Sequence, residues 1–379
     1  MAPTRVGLFG LQPKDVGETV SFGSWGVQAH LASIRAMPED YEIVAVANST
    51  VASAQKAIES HGLPAGTKAY GNPQDLANDT RVELVVVSVR VPKHSMLTKP
   101  ALEKKKDIFV EWPLGRGLAE SEELAKLASA AGVRTMVGLQ ARAEPVVIKA
   151  KELVTSGKIG QVVSSTATLQ IAIPFDLGWP KGAEYYLDMK SGGNEYFIYF
   201  GHFVDSFTHV LGDFADIKAT LNTYTTSVAL VNEKGEVLDP AYPKTTPDHI
   251  FVQGKLESGA MASIAVRNAK ASVDGVGVRW IITGTEGEIE VTMPENHWQF
   301  ADANKALRLK IGREEAKNVD VLTKDDKLPE KVASLGLNTA RQYQGFAKGD
   351  TETCATFESA LKTHRLLDRI LKDAGWESI

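Results

Sequence analysis

Through the first 140 residues, short apolar runs alternate with longer helical patterns. Val6-Gly7-Leu8-Phe9-Gly10, Tyr41 to Ala47, Val82 to Val89, Ile108-Phe109-Val110 and Arg134 to Leu139 read as strands. Their apolar residues run on without polar alternation, the mark of strands covered on both faces. Val51 to Ser60 and Leu118 to Ala131 read as helices, the second closed by Gly132 where a left-handed C-cap belongs. Strand and helix repeated in this way predict a doubly wound parallel sheet, an α/β Rossmann domain spanning 1–142.

After Pro145 the pattern changes. Val146 to Thr155 is amphipathic and stops at Ser156-Gly157. Gln161 to Ile173, Phe214 to Leu230, Asp248 to Leu256, Met261 to Val266 and Val278 to Val291 are strand-like. Several alternate apolar and polar residues, which predicts an open, mostly antiparallel sheet with one exposed face. Helix returns in the last 45 residues, including Thr356 to Ala374. We therefore expect an α+β substrate and dimerisation domain over 143–379, its last helix packing back on the Rossmann domain.

Composition narrows the class. With 379 residues, two domains are the natural expectation. Apolar residues at 43% and charged residues at 23% describe an ordinary globular chain. A net charge of -5 gives no basic field for nucleic acid or anionic lipid. No apolar run approaches bilayer length, and the start has no room for a signal peptide. Cys354 is the only cysteine, so an internal disulfide is excluded and a reducing, cytoplasmic setting fits. We read Cys354 as a packing residue. The histidines are scattered and no metal-ligand spacing occurs.

The chemistry sits at two places. After the first strand come Gly7, Gly10 and Leu11, then Gly17, Gly23, Trp25 and Gly26 before Val27-Gln28-Ala29-His30 opens a helix. Glycines here let backbone approach a pyrophosphate, which a helix N-terminus would bind. The third glycine of the usual fingerprint is displaced, and the turn is stretched to roughly an Ω-loop; a surface loop is the competing reading. The second strand ends in Asn48-Ser49-Thr50, where an enzyme strict for NAD carries an acid for the ribose 2′-hydroxyl. Losing that carboxylate admits a 2′-phosphate, so we expect NADP or NAD, with a lean to NADP. Arg90 and His94 follow the third of these strands at the carboxyl edge where dinucleotides bind.

At Phe109-Val110-Glu111-Trp112-Pro113-Leu114 the sequence resembles the Glu-Lys-Pro signature of the Gfo/Idh/MocA oxidoreductase family. The resemblance continues through Leu139-Gln140-Ala141-Arg142, Ser156-Gly157-Lys158-Ile159-Gly160, and Gly192-Gly193 followed by Gly201-His202-Phe203-Val204-Asp205. Glu-Trp, Ala150-Lys151-Glu152-Leu153, Trp25 ahead of His30, and Pro243-Lys244-Thr245-Thr246-Pro247-Asp248-His249 resemble its fungal galactose-regulon repressor subgroup.

The resemblance implies a dinucleotide site drawing on Glu111, Trp112 and Gln140, and Arg142 near the substrate. It also implies a cis bond at Trp112-Pro113 and a homodimer through the sheet. Active members use the signature lysine and an aspartate four residues before the histidine. Here Trp112 and Ile198 occupy those positions, and neither exchanges a proton. His202 remains, and histidine's usual range suits acid–base work; a packed structural histidine is the alternative. Tyr199 lies on nearly the same helix face and is the candidate partner. Glu195 is a second candidate proton donor, with an exposed solvated acid as the commoner reading. Glu195, Tyr196 and Tyr185 are candidate substrate contacts, and Lys181, Asp188 and Lys190 read equally as contacts to a polyhydroxylated ligand or as polar-loop residues.

Two readings stay open. One is an NAD(P)-dependent oxidoreductase acting on a sugar-like or other small polar alcohol or carbonyl. The other is a catalytically silent, dinucleotide-responsive regulator that binds a protein partner, with a nuclear location then admitted. Neither contacts nucleic acid or membrane directly.

Overall fold

The computed structural model describes residues 2–14, 24–171, 178–294, 297–322 and 326–379. Gly17, Gly23 and the end of the expected Gln161–Ile173 strand lie outside them. Two compact units form: Met1–Ala143 with Asp325–Lys362, and Glu144–Lys324 with Thr363–Ile379. Past the boundary near 142, the chain thus returns to its first unit over Asp325–Lys362.

In the first unit, β1 (Thr4–Phe9), β2 (Tyr41–Ala47), β3 (Lys68–Tyr70), β4 (Leu84–Val87), β5 (Asp107–Val110) and β6 (Thr135–Val137) form a sheet in the order β3-β2-β1-β4-β5-β6. Every pairing is parallel. β1 and β4 are the buried centre, and the chain reverses its direction of growth between them. That reversal is the switch point where such sheets bind ligands.

A π-turn (Gly26–Leu31) runs into α1 (Ala32–Ala36), followed by α2 (Val51–Ser60), α3 (Pro73–Asn78), α4 (His94–Glu103) and α5 (Leu118–Ala131). Local chemistry sets their ends: the Thr50 hydroxyl caps α2 by accepting the Ser53 N–H, and Gly132 closes α5 at φ +67°. Sequence periodicity missed β3, α3 and α4; β3 is only three residues long, and α4 contains Pro100.

Past α6 (Pro145–Thr155) comes β7 (Val162–Ile171), then β8 (Trp179–Pro180). A π-turn over Tyr196–Phe200 leads directly into α7 (Gly201–Leu211). There follow β9 (Phe214–Asn222), β10 (Ser227–Val231), β11 (Val237–Pro243), β12 (His249–Leu256), β13 (Met261–Asn268), β14 (Val278–Gly284), β15 (Gly287–Met293), β16 (Ala306–Ile311) and β17 (Lys317–Asn318).

Eight of these strands make a sheet in the order β17-β16-β15-β14-β7-β13-β12-β9, antiparallel except where β7 meets β13. The expected Phe214–Leu230 strand divides into β9 and β10, and β10 joins a separate sheet, β11-β10-β8. On β12, buried Ile250, Val252 and Leu256 alternate with exposed Phe251, Gln253 and Lys255, the one-sided pattern read from the sequence. The buried face packs on α7 through Phe203, whose ring meets Trp280 and Trp298 edge-on at 5.7 and 5.2 Å.

The returning segment supplies α8 (Ser334–Lys348) to the first unit, and α9 (Phe357–Asp373) follows. Gln342 of α8 donates to the Val137 carbonyl at the end of β6. Cys354 is buried, donates to the Gln342 carbonyl, and has its thiol pushed up to about 12 by burial, consistent with packing. No helix of the described residues is long and apolar enough to cross a membrane.

Candidate functional site

The dinucleotide candidates gather at the carboxyl edge of the first unit's sheet. Gly10 has φ +88°, and a Cβ there would run into the Ser88 carbonyl oxygen. At Gly26 a Cβ would come within 2.6 Å of the Gly10 carbonyl oxygen. Gly10 thus lets the end of β1 close on that of β4, and Gly26 lets the start of the helix close on the end of β1, which together bring a helix N-terminus to the switch point. Gly7 lies within β1 against the side chains of Val82 and Leu76, a packing role. Leu11 is fully buried, and its carbonyl accepts the Asn48 side-chain N–H at 2.8 Å. Asn48 therefore ties the ends of β1 and β2 together, while Ser49 beside it is exposed. Trp25 is partly buried just ahead of the helix.

The β4 and β5 ends are built around two buried histidines. His94 places Nδ1 2.8 Å from the Pro113 carbonyl and Nε2 2.9 Å from the Val89 carbonyl. Burial holds its pKa below the usual histidine range, against the pull of those carbonyls. The ring thus lies between the end of β4 and the loop that carries the cis Trp112-Pro113 bond, its one N–H donating to one of the two carbonyls, and His94 braces this loop. Arg90 stands exposed just before it.

His30, fully buried, faces the Glu111 carboxylate at 2.8 Å through Nε2 and the Tyr343 hydroxyl at 2.9 Å through Nδ1. With the carboxylate ionised and the ring neutral, Nε2–H donates to Glu111 and the Tyr343 O–H donates to Nδ1. Gly138 presses on the same carboxylate, because a Cβ there would run into it. Glu111, expected at the cofactor, is thereby held as a brace for the turn. Trp112 is buried. Gln140 is 3% exposed, and its Oε1 has no hydrogen-bond partner among the described residues. Arg142 is buried and donates to the Ser359 hydroxyl at 3.3 Å.

These features fit a bound dinucleotide: a switch point, a helix start drawn close by two glycines, no carboxylate after β2, and an unspent buried amide oxygen at the sheet's edge.

The acid–base candidates lie in the second unit. Asn194 begins their helical segment by accepting the N–H groups of Tyr196 and Phe197 at 3.1 and 3.2 Å. His202 is buried near the start of α7. Tyr199 donates its hydroxyl to the Gln170 carbonyl of β7 at 3.0 Å, and burial pushes that hydroxyl far above its usual range. As an acid it is poorly placed. Tyr196 is fully buried and donates to the Leu367 carbonyl of α9 at 2.6 Å, so its expected substrate contact is replaced by a structural one. Tyr185 is partly buried against the small cluster of Trp179, Leu187, Val228 and Leu230.

Glu195 is fully buried and carries a partner that sequence reading did not foresee. Lys244 Nζ lies 3.2 Å from its Oε2, and both side chains are fully enclosed. Burial first, offset in part by Lys244, pushes the Glu195 carboxyl up to about 7. The signal was present in the run Pro243 to His249, where Lys244 and Asp248 stand at i, i+4 spacing, each directly after a proline; its depth was not. Trp112 and Ile198 carry no proton-exchanging group. Among the described residues no cluster of His, Cys, Asp or Glu is built to hold a metal ion.

Comparison with known proteins agrees with this architecture. Residues 21–139 match the family model "Oxidoreductase family, NAD-binding Rossmann fold", and residues 145–293 match "Gal80p, C-terminal domain". Dehydrogenase aclE of Aspergillus oryzae is 30% identical over 89% of this chain and 88% of its own length. Galactose/lactose metabolism regulatory protein GAL80 of Kluyveromyces lactis is 29% identical over 76% of this chain and 64% of its own length. The crystal structure of transcriptional regulator Gal80p from Kluyveromyces lactis superposes with a TM-score of 0.81 at 26% identity, covering 99% of this chain and 93% of that one.

Proposed function

Since the chain belongs to the Gfo/Idh/MocA oxidoreductase family, we propose that it is an NAD(P)-dependent oxidoreductase acting on an alcohol or carbonyl of a sugar-like or other small polar molecule. The observation that carries this reading is the buried Glu195 carboxyl, which burial beside Lys244 pushes up to about 7, on the helical segment that also bears His202. Perturbed ionisable groups of this kind concentrate at working sites.

In this reading the first unit binds the dinucleotide. The helix start at Gly26 would hold the pyrophosphate, and Gln140 would hold the nicotinamide end. Asn48 and Ser49 leave room for a 2′-phosphate, which supports a preference for NADP. Bound nicotinamide supplies the hydride-exchanging ring. His202 holds the substrate oxygen and moves its proton, Trp112 shields an apolar surface from water, and Arg142 and Tyr185 are the remaining substrate candidates.

The test follows nicotinamide absorbance while the purified protein meets NADP, NAD and their reduced forms across a panel of aldoses, polyols and ketones. Turnover lowered by roughly 10² to 10⁴ in His202→Ala supports the assignment. Tight nucleotide binding with no turnover on the whole panel sinks it. Asn48→Asp should shift preference toward NAD; an unchanged ratio removes the cofactor lean.

A second reading is favoured by the Gal80p C-terminal match and by Trp112 and Ile198: a silent regulator that binds a protein partner. Either reading suits a homodimer through the open face of the eight-stranded sheet, where Phe251 and Met261 are 49% and 58% exposed. Sedimentation of the purified chain as a monomer would remove it.

A further inference from the structure

Glu195, Lys244 and Asp248 are all fully enclosed in the second unit, and their charges do not cancel if all three ionise. Asp248 is the fixed anion. The Tyr224 and Thr225 N–H groups each donate to it at 2.8 Å, and His249 Nδ1 lies 2.9 Å from Oδ1. Burial would raise its carboxyl, but these donors and Lys244 hold it below the usual range. Lys244 Nζ donates to the Thr246 carbonyl at 2.6 Å and stands 3.6 Å from Asp248 and 3.2 Å from Glu195.

One cation thus faces two carboxylates. An uncompensated buried charge is strongly disfavoured, so with the His249 ring neutral one carboxylate carries a proton. Glu195 is that one: neither of its oxygens makes a well-aligned hydrogen bond among the described residues, whereas both Asp248 oxygens do. Its other ionisable neighbour is Tyr186, whose hydroxyl burial and Glu195 together push up. The Thr246 hydroxyl lies beside it. His249, 30% exposed, is where the cluster meets solvent.

We propose that Glu195 is the proton-holding carboxyl of this site, standing in for the aspartate absent at Ile198, with Lys244 and Asp248 as its fixed charge partners and His249 as the cluster's outlet to solvent. Glu195 begins the helical segment one turn before Ile198 and two turns before His202. The assignment rests on the oxidoreductase reading above. In carbonyl reduction a bound reduced nicotinamide dinucleotide would supply the hydride that the substrate carbon takes. The substrate oxygen takes a proton from His202, which is reprotonated from Glu195. Glu195 remains as a carboxylate beside Lys244 until a solvent proton, entering past His249, restores it. As a positioning and proton-storing residue, Glu195 should shape the pH response and not substrate affinity.

The experiment pairs infrared spectroscopy of the intact protein with pH profiles of kcat/KM on the best substrate of the panel. A protonated-carboxyl stretch should be present at pH 6, fade through about 7 and vanish in Glu195→Gln. That variant should also lower kcat/KM by roughly 10²-fold and lose the limb of the profile near neutrality. If the variant does not fold, Lys244→Met serves: removing the cation should carry the band's disappearance upward by about 1–3 pH units. No band in the unmodified protein, a band that persists in Glu195→Gln or does not move in Lys244→Met, or a pH limb that survives in Glu195→Gln each overturns the proposal. No turnover on the whole panel defeats the oxidoreductase reading alone, because the infrared band still decides whether Glu195 holds the proton.

Discussion

The two units bury ionisable groups in opposite ways. In the first, Tyr343, His30 and Glu111 stand in a row in which each donor has an acceptor, and the charge at the end borders a glycine cut to fit it. In the second, Lys244 is shared between two carboxylates and one of them is left over. The first arrangement is saturated and can only hold shape. The second stores an imbalance that a proton must settle. Local rules are broken most often where function needs them broken, and here the excess carboxyl sits on the segment that carries His202.

Removing the shared cation should separate the two units most sharply. Lys244→Ala leaves the Asp248 carboxylate and the Glu195 carboxyl buried without their shared cation and should cost about 3–5 kcal/mol, measured by urea unfolding. A cost below about 1 kcal/mol would mean the cluster is wetter than its burial implies. The first unit's row should break less severely: His30→Ala removes two hydrogen bonds and leaves a cavity, for about 2–3 kcal/mol. Tyr199→Phe removes one buried hydroxyl and its bond to Gln170, for about 1 kcal/mol, and should leave turnover intact if the hydroxyl only braces β7.

The gentlest test varies pH. Glu195 keeps its proton to about 7 in the folded chain, against an ordinary 4.5. Between those values the folded state binds the extra proton, so stability falls as pH rises across the window. Glu195→Gln should flatten that slope in a series of thermal melts. A slope equal to that of the unmodified chain would assign it elsewhere.

Much of the first unit could be read from apolar runs, because β1, β2 and β5 are enclosed on both faces and α2 and α5 carry their own caps. The one-sided sheet was legible from alternation in β12 and β13. What stayed hidden depends on distance in sequence. Glu111 and His94 were placed at the cofactor because strand ends usually serve there, but nothing local shows that His30 and two backbone carbonyls take up their side chains. Tyr196 and Tyr199 carry hydroxyls whose partners lie on α9 and β7. The depth of Lys244 follows from the packing around it, which the run Pro243 to His249 cannot show by itself.

Tyr343 reaches His30 across 313 positions of chain. On a ribosome adding about 5–20 residues each second, that separation is roughly 15–60 s of synthesis. For that interval the early strands exist without α8, and the buried imidazole lacks the hydroxyl that fixes its tautomer. A product ending before α8 would keep every strand of the nucleotide sheet and still lack a finished hearth for it. Nascent chains stalled ahead of residue 334 should therefore be cut readily by protease near β1 and β2, and become resistant once α8 has cleared the exit tunnel.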